Sequence, residues 1–272
     1  MPAPTSTLDG WTPAPFTGGD LTYDVYSKGS GPGVVLIPEV PGLTPEVLGL
    51  ADHLVESGFT VAVPSLFGTP GKPLSPGYGL QTMAKLCVAS ELKAFAAGAA
   101  RPISAFLRAL AADLNTRTPG RGVGVIGMCF TGGFALATAV DDSVLAAVMS
   151  QPSVPFSVSS ARKRDIGLSP AEAQTVQQRT KDGLCLMGLK FSEDKAFSSQ
   201  RFDAYRQTFG DAIELIVLDS SKGNPDGYSS TAHSVLTGEV RLDPPNSALA
   251  ARERVVAFLT EHVPGENAGR PA

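Results

Sequence analysis

Histidine and cysteine are scarce in this chain of 272 residues, with three of each. Cys87, Cys129 and Cys185 are an odd number without metal-ligand spacing, which excludes a zinc ribbon and a disulfide framework. No run of eighteen apolar residues occurs, so no transmembrane helix is expected. The segment from Met1 to Trp11 lacks the basic and apolar pattern of a signal peptide, so the expected location is the cytoplasm, where a free thiol stays reduced. Basic residues are not in excess: the formal net charge of −4 argues against a nucleic-acid or anionic-membrane surface. The glycine run Gly29–Gly33 lacks the lysine and the serine or threonine of a phosphate-binding loop and reads as a hairpin turn. No repeat, heptad seam or low-complexity tract is present, and nothing in the chain fixes its oligomeric state.

What is present is an alternation of short β-branched runs with helical patterns. Strands are expected over Leu21–Tyr26, Gly33–Ile37, Phe59–Val63, Val123–Gly127, Val144–Met149, Leu184–Leu189 and Ile213–Leu218. Helices are expected from Pro45 to Ser57, capped by Thr44, and over Leu80–Ala97, Pro102–Leu114 and Phe134–Val140. A further helix should run from the capping box Ser169-Pro-Ala-Glu172 to about Lys181, and another close the chain. The alternation predicts an α/β fold with a mainly parallel central sheet and helices on both faces. The length suits one domain over residues 1–272, with 1–20 as an N-terminal extension, packed or loose, and 151–181 as a cap-like insertion near the substrate pocket.

The chemistry concentrates at Val123-Gly-Val-Ile-Gly-Met-Cys129-Phe-Thr-Gly-Gly133. An apolar strand ends at glycine, a lone cysteine follows, and then come two glycines and an alanine-rich helix. This is a strand, a tight turn and a helix with Cys129 at the apex, the geometry of a nucleophile elbow with a thiol in place of serine. The bland alternative is a buried packing cysteine in a strand–helix turn. An elbow nucleophile needs a base, and the base needs an orienting acid. His53 lies in an amphipathic helix, and His262 in the last helix suits the negative helix end. His233 follows a turn-rich loop after a late strand, where a base belongs. Strand 184–189 empties into Glu193 and Asp194. Asp194 is the preferred acid, Glu193 is the alternative, and Asp219 at the end of the next strand is weaker. Strand 33–37 ends in Pro38-Glu39-Val40-Pro41-Gly42, where a second oxyanion donor and a carboxylate near the nucleophile fit.

Together, Pro38-Glu39-Val-Pro-Gly-Leu43, Gly58-Phe-Thr-Val-Ala-Val-Pro-Ser-Leu-Phe67, Gly127-Met-Cys129-Phe-Thr-Gly-Gly133, Asp194 and Ala232-His233-Ser-Val-Leu236 resemble the dienelactone hydrolase family, α/β-hydrolases with a cysteine nucleophile. The resemblance runs from about Gly33 to the C-terminal helix. It implies an α/β-hydrolase fold, Cys129, Asp194 and His233 as the catalytic triad, and the Val40 and Phe130 amides as the oxyanion hole. It also implies that Glu39 contacts and modulates the thiol, with no metal or organic cofactor and a small-molecule ester or lactone as substrate. The implied activity is a carboxylic ester hydrolase of the carboxymethylenebutenolidase type. Thr131 stands where relatives carry a glycine. Thr237 stands where dienelactone-cleaving relatives carry an arginine for the substrate carboxylate, a role open to Arg241 or a cap residue. The other readings are a general carboxylesterase or thioesterase on the same site, and a non-catalytic thiol sensor or binding scaffold.

Overall fold

A computed structural model describes residues 2–88, 102–153, 163–195 and 199–265, without the side chains of 86–88. The strands are β1 (Thr12–Gly18), β2 (Leu21–Lys28), β3 (Gly33–Ile37), β4 (Thr60–Pro64), β5 (Val123–Met128), β6 (Val144–Ser150), β7 (Cys185–Phe191) and β8 (Ile213–Leu218). The helices are α1 (Pro45–Glu56), α2 (Pro76–Val88), α3 (Pro102–Arg117), α4 (Gly132–Thr138), α5 (Pro170–Lys181), α6 (Ser199–Phe209) and α7 (Ser247–His262). The distal part of the expected 80–97 helix, the Cys87 side chain and residues 154–162 lie outside the described residues.

The eight strands form one sheet in the order β1-β2-β4-β3-β5-β6-β7-β8. From β4 to β8 every pairing is parallel, and β1 and β2 run antiparallel at one edge. Parallel neighbours need crossovers, and the helices supply them on both faces. One core lies under α1 and α7, where Val47, Leu50, Leu54, Val255 and Leu259 meet Leu36, Ile126 and Val148. The other lies under α3 to α6, where Phe106, Leu110, Phe134, Val176 and Tyr205 meet Val35, Val125 and Ala147. β3 and β5 are buried at every position, as strands covered on both sides must be.

One local expectation changes. Gly29–Gly33 does not close a hairpin, because β2 and β3 both pair with β4 and sit on either side of it. The hairpin is instead the Gly18–Leu21 turn, which pairs Thr12–Gly18 of the extension with β2. The extension also docks on α1: the Ser6 amide donates to the Pro45 carbonyl at 2.9 Å, and the Trp11 indole donates to Asp52 at 3.2 Å. In the 151–181 region, α5 is the crossover between β6 and β7. Its Ser169/Glu172 capping box forms. Arg108 ties Glu172 to α3 at 2.7 Å, and Gln177 donates to the Thr208 carbonyl in α6 at 2.7 Å.

Candidate functional site

Cys129 begins a single 3-10 turn, Cys129–Thr131, between β5 and α4. Its φ is +54°, a left-handed conformation that a residue with a Cβ seldom adopts. Such strain at the end of a central strand lifts the side chain out of the sheet and clusters at functional sites. The flanking glycines are not equivalent. A Cβ on Gly127 would lie 2.4 Å from the Thr131 carbonyl oxygen, and one on Gly132 would lie 2.6 Å from Pro152. A Cβ on Gly133 would meet nothing within 4 Å.

Thr131 fits the turn through its hydroxyl. Fully buried, its Oγ1 accepts from the Met128 amide at 3.0 Å and lies 2.8 Å from the Met128 carbonyl, 3.0 Å from that of Ile37 and 3.2 Å from that of Pro38. The threonine therefore fastens the elbow to the end of β3. β3 and β5 are parallel neighbours with Ile37 opposite Gly127, so the Glu39–Val40 loop and the Cys129–Phe130 turn leave the sheet side by side.

His233 and Asp194 approach from the far strands. Asp194, at the end of β7, is buried, whereas Glu193 and Asp219 are exposed. Asp194 Oδ2 lies 2.6 Å from His233 Nδ1. Burial of the imidazole opposes its charge. The Asp194 hydrogen bond, together with the hydrogen bond and charge of Cys129, outweighs that burial and pushes the His233 pKa up to about 11. The other histidines sit elsewhere. His53 is in the last turn of α1, with Nε2 3.1 Å from Glu253, and His262 ends α7.

Glu39 is held by polar neighbours from two other loops. The buried carboxylate accepts from Gln151 Nε2 at 3.2 Å, from Ser234 Oγ at 2.9 Å and from the Thr237 hydroxyl. Cys129 Sγ has a different partner, Ser153 Oγ, at 3.2 Å. Among the described residues no hydrogen bond joins Glu39 to the sulfur. The physical reason is local: Thr237 is short enough to hydrogen-bond Glu39 directly, and Gln151, buried at φ +35°, aims its amide at the same carboxylate. Arg241 is engaged in the histidine loop, donating to the Asp226 carbonyl and lying 5.5 Å from the Tyr228 ring centre. Gln151, Ser153 and Ser234 carry no local signal of a site role, because each lies far along the chain from the group it touches.

Beside the Val40 loop is a cavity of about 190 Å³ lined by Glu39, Val40, Pro41, Thr44, Glu46, Leu74, Ser234 and Thr237. Among the described residues its lining carries two carboxylates and no lysine, arginine or histidine. Among the described residues no group of three or more His, Cys, Asp or Glu converges as metal ligands would. No described helix is long and apolar enough to cross a membrane.

This geometry can be set against known proteins. No curated protein matches the chain. A dienelactone hydrolase from Anabaena variabilis superposes with a TM-score of 0.59 at 12% identity, over 93% of this chain and 98% of that one. A dienelactone hydrolase-like promiscuous phosphotriesterase from metagenomic libraries gives 0.60 at 17% identity over the same shares. A Pyrococcus furiosus esterase gives 0.56 at 12% identity, over 93% of each chain. At such identities these likenesses concern the fold, which is that of the α/β-hydrolases. The family model for dienelactone hydrolases matches residues 22–212, from β2 to the start of β8, and the chain belongs to the dienelactone hydrolase family.

Proposed function

We propose that this protein hydrolyses small uncharged esters or lactones through Cys129, with His233 as base and Asp194 as its orienting acid. The observation that carries the reading is the 2.6 Å contact of Asp194 with His233, whose ring is in turn raised by the Cys129 sulfur at a strained strand end. Only a thiolate is a competent nucleophile, and a proton shared between ring and sulfur makes one available.

The steps follow from that pair. Sulfur attacks the carbonyl carbon while His233 holds the proton. The oxyanion forms beside the Val40 and Phe130 amides, donors worth about 3–4 kcal/mol each in comparable sites. Once sulfur is acylated its negative charge is gone, and with it part of what holds the proton on the ring. The imidazolium then gives that proton to the leaving alkoxide. The neutral ring next takes a proton from water, whose oxygen attacks the thioester and returns sulfur to the resting state. Asp194 keeps Nδ1 as the bonded nitrogen throughout, leaving Nε2 for chemistry. A thiol used this way needs a reducing compartment, and we assign the protein to the cytoplasm.

The choice of an uncharged substrate rests on Thr237 and the cavity. A substrate carboxylate entering beside Glu39 and Glu46 would meet like charge with no cation among the described lining residues. Steady-state hydrolysis of p-nitrophenyl acetate and butyrate, a neutral lactone and the anionic dienelactone tests this. The neutral substrates should exceed dienelactone in kcat/KM by about tenfold or more, which is ~1.4 kcal/mol. A preference for the anionic lactone would reverse the assignment.

A further inference from the structure

We propose that Ser153 is a further catalytic residue, whose hydroxyl donates to Cys129 Sγ and holds the nucleophile in its thiolate form. The inference rests on the proposed role of Cys129, and it concerns a residue beyond the triad and the oxyanion donors. Ser153 Oγ lies 3.2 Å from Sγ, inside sulfur hydrogen-bond range. A thiol has one proton, which the proposed mechanism passes to His233. The sulfur that remains is acceptor-only, so the hydroxyl beside it must be the donor.

The contact is built rather than incidental, because four anchors fix the segment that carries it. The Ser153 amide donates to the Cys129 carbonyl at 2.9 Å, joining the two residues through the backbone as well as the side chain. Pro152 packs against Gly132, where any side chain would collide with it. Arg201 of α6 donates to the Pro152 carbonyl at 2.9 Å. Gln151 is locked in a left-handed conformation, with its amide N–H on the Leu189 carbonyl at 2.7 Å and its side chain on Glu39.

His233, held by Asp194, faces the sulfur, while Glu39 and Arg201 bind Gln151 and the Pro152 carbonyl of the segment that carries Ser153. Ser153 is the neutral donor in this set. It favours negative charge on sulfur without competing for the proton. During attack the sulfur loses its charge to the carbonyl oxygen, and the Ser153 proton stays on its own oxygen throughout.

The test is iodoacetamide alkylation of the full chain between pH 5 and pH 10, with the Cys129→Ala variant subtracting Cys87 and Cys185. Ser153→Ala keeps the backbone and Pro152 anchors, and its thermal melt is recorded alongside. The expected result is an upward move of the apparent thiol midpoint by about one unit or more, the loss of one hydrogen bond to a charged group. Ester kcat should fall about tenfold with KM within about twofold. Ser153→Thr, which keeps the hydroxyl, should restore the wild-type profile. An alanine profile that superimposes on the wild type, or moves down, overturns the proposal. So does an upward shift that threonine fails to restore, because that effect would belong to packing. If the wild type turns over no ester, the hydrolase reading falls, and the alkylation profiles still decide the role of Ser153.

Discussion

The hydroxyl of Thr131 lies 3.0 Å from the carbonyl oxygen of Ile37, so the cysteine turn and the loop after β3 are fastened together by one buried side chain. Thr131→Val keeps the shape and removes the bonds, leaving the Met128 amide without its acceptor. The expected cost is about 1–3 kcal/mol in urea unfolding. kcat should fall more than KM rises, because the elbow and the Val40 amide lose their fixed spacing. Thr131→Ser should retain both properties. A valine variant with unchanged stability would refute the latch.

Glycine is required at one flank of the turn and free at another. Gly127→Ala places a methyl group 2.4 Å from the Thr131 carbonyl oxygen, with an expected cost of about 1–3 kcal/mol and loss of turnover. Gly133→Ala meets no neighbour within 4 Å in the first turn of α4 and should stabilise the protein by up to about 1 kcal/mol. Thermal melts of the two variants should move in opposite directions.

Glu39 holds three loops together: its own after β3, that of Gln151 after β6, and the loop after β8 that carries both Ser234 and Thr237. Thr237→Val removes one donor, and Glu39→Ala strands all three; each should cost about 1–3 kcal/mol. The double variant should cost less than the sum by more than about 0.5 kcal/mol, since both changes break the same contact. Strict additivity in urea unfolding would mean that the pair does not interact.

His233 ties stability to pH with a defined sign. Its folded pKa is raised to about 11 from an unfolded value near 6.5, so the folded state holds the proton more tightly. That contribution is complete below about pH 6.5 and is lost as pH rises through about 11. The gap in unfolding free energy between wild type and His233→Gln should therefore narrow between pH 7 and pH 10. A gap that widens over this range would contradict the raised value.

Much of this arrangement is written locally. The elbow shows as an apolar run broken by glycine around Cys129, and His233 and Asp194 stand in loops that follow apolar runs. β1 is obscured because Pro13 and Pro15 argue against a strand. Their spacing of two turns both missing N–H groups toward the same side, and β1 pairs only with β2, so that side is the open edge where proline costs no hydrogen bond. The partners of Glu39 and Cys129 are hidden for another reason. Gln151, Ser153 and Ser234 are ordinary polar residues locally, and only the parallel order β3-β5-β6-β7-β8 brings their loops to the same end of the sheet. Gln151 carries no left-handed signal of the kind asparagine or glycine would give.

The central claim, Cys129 as the acylated nucleophile, is tested most directly by intact-mass and peptide analysis of protein quenched during turnover of p-nitrophenyl butyrate. The expected result is a butyryl increment on the peptide bearing Cys129, absent from Cys129→Ala, which should also lose ester turnover. An increment on another residue, or undiminished turnover by Cys129→Ala, would contradict the account.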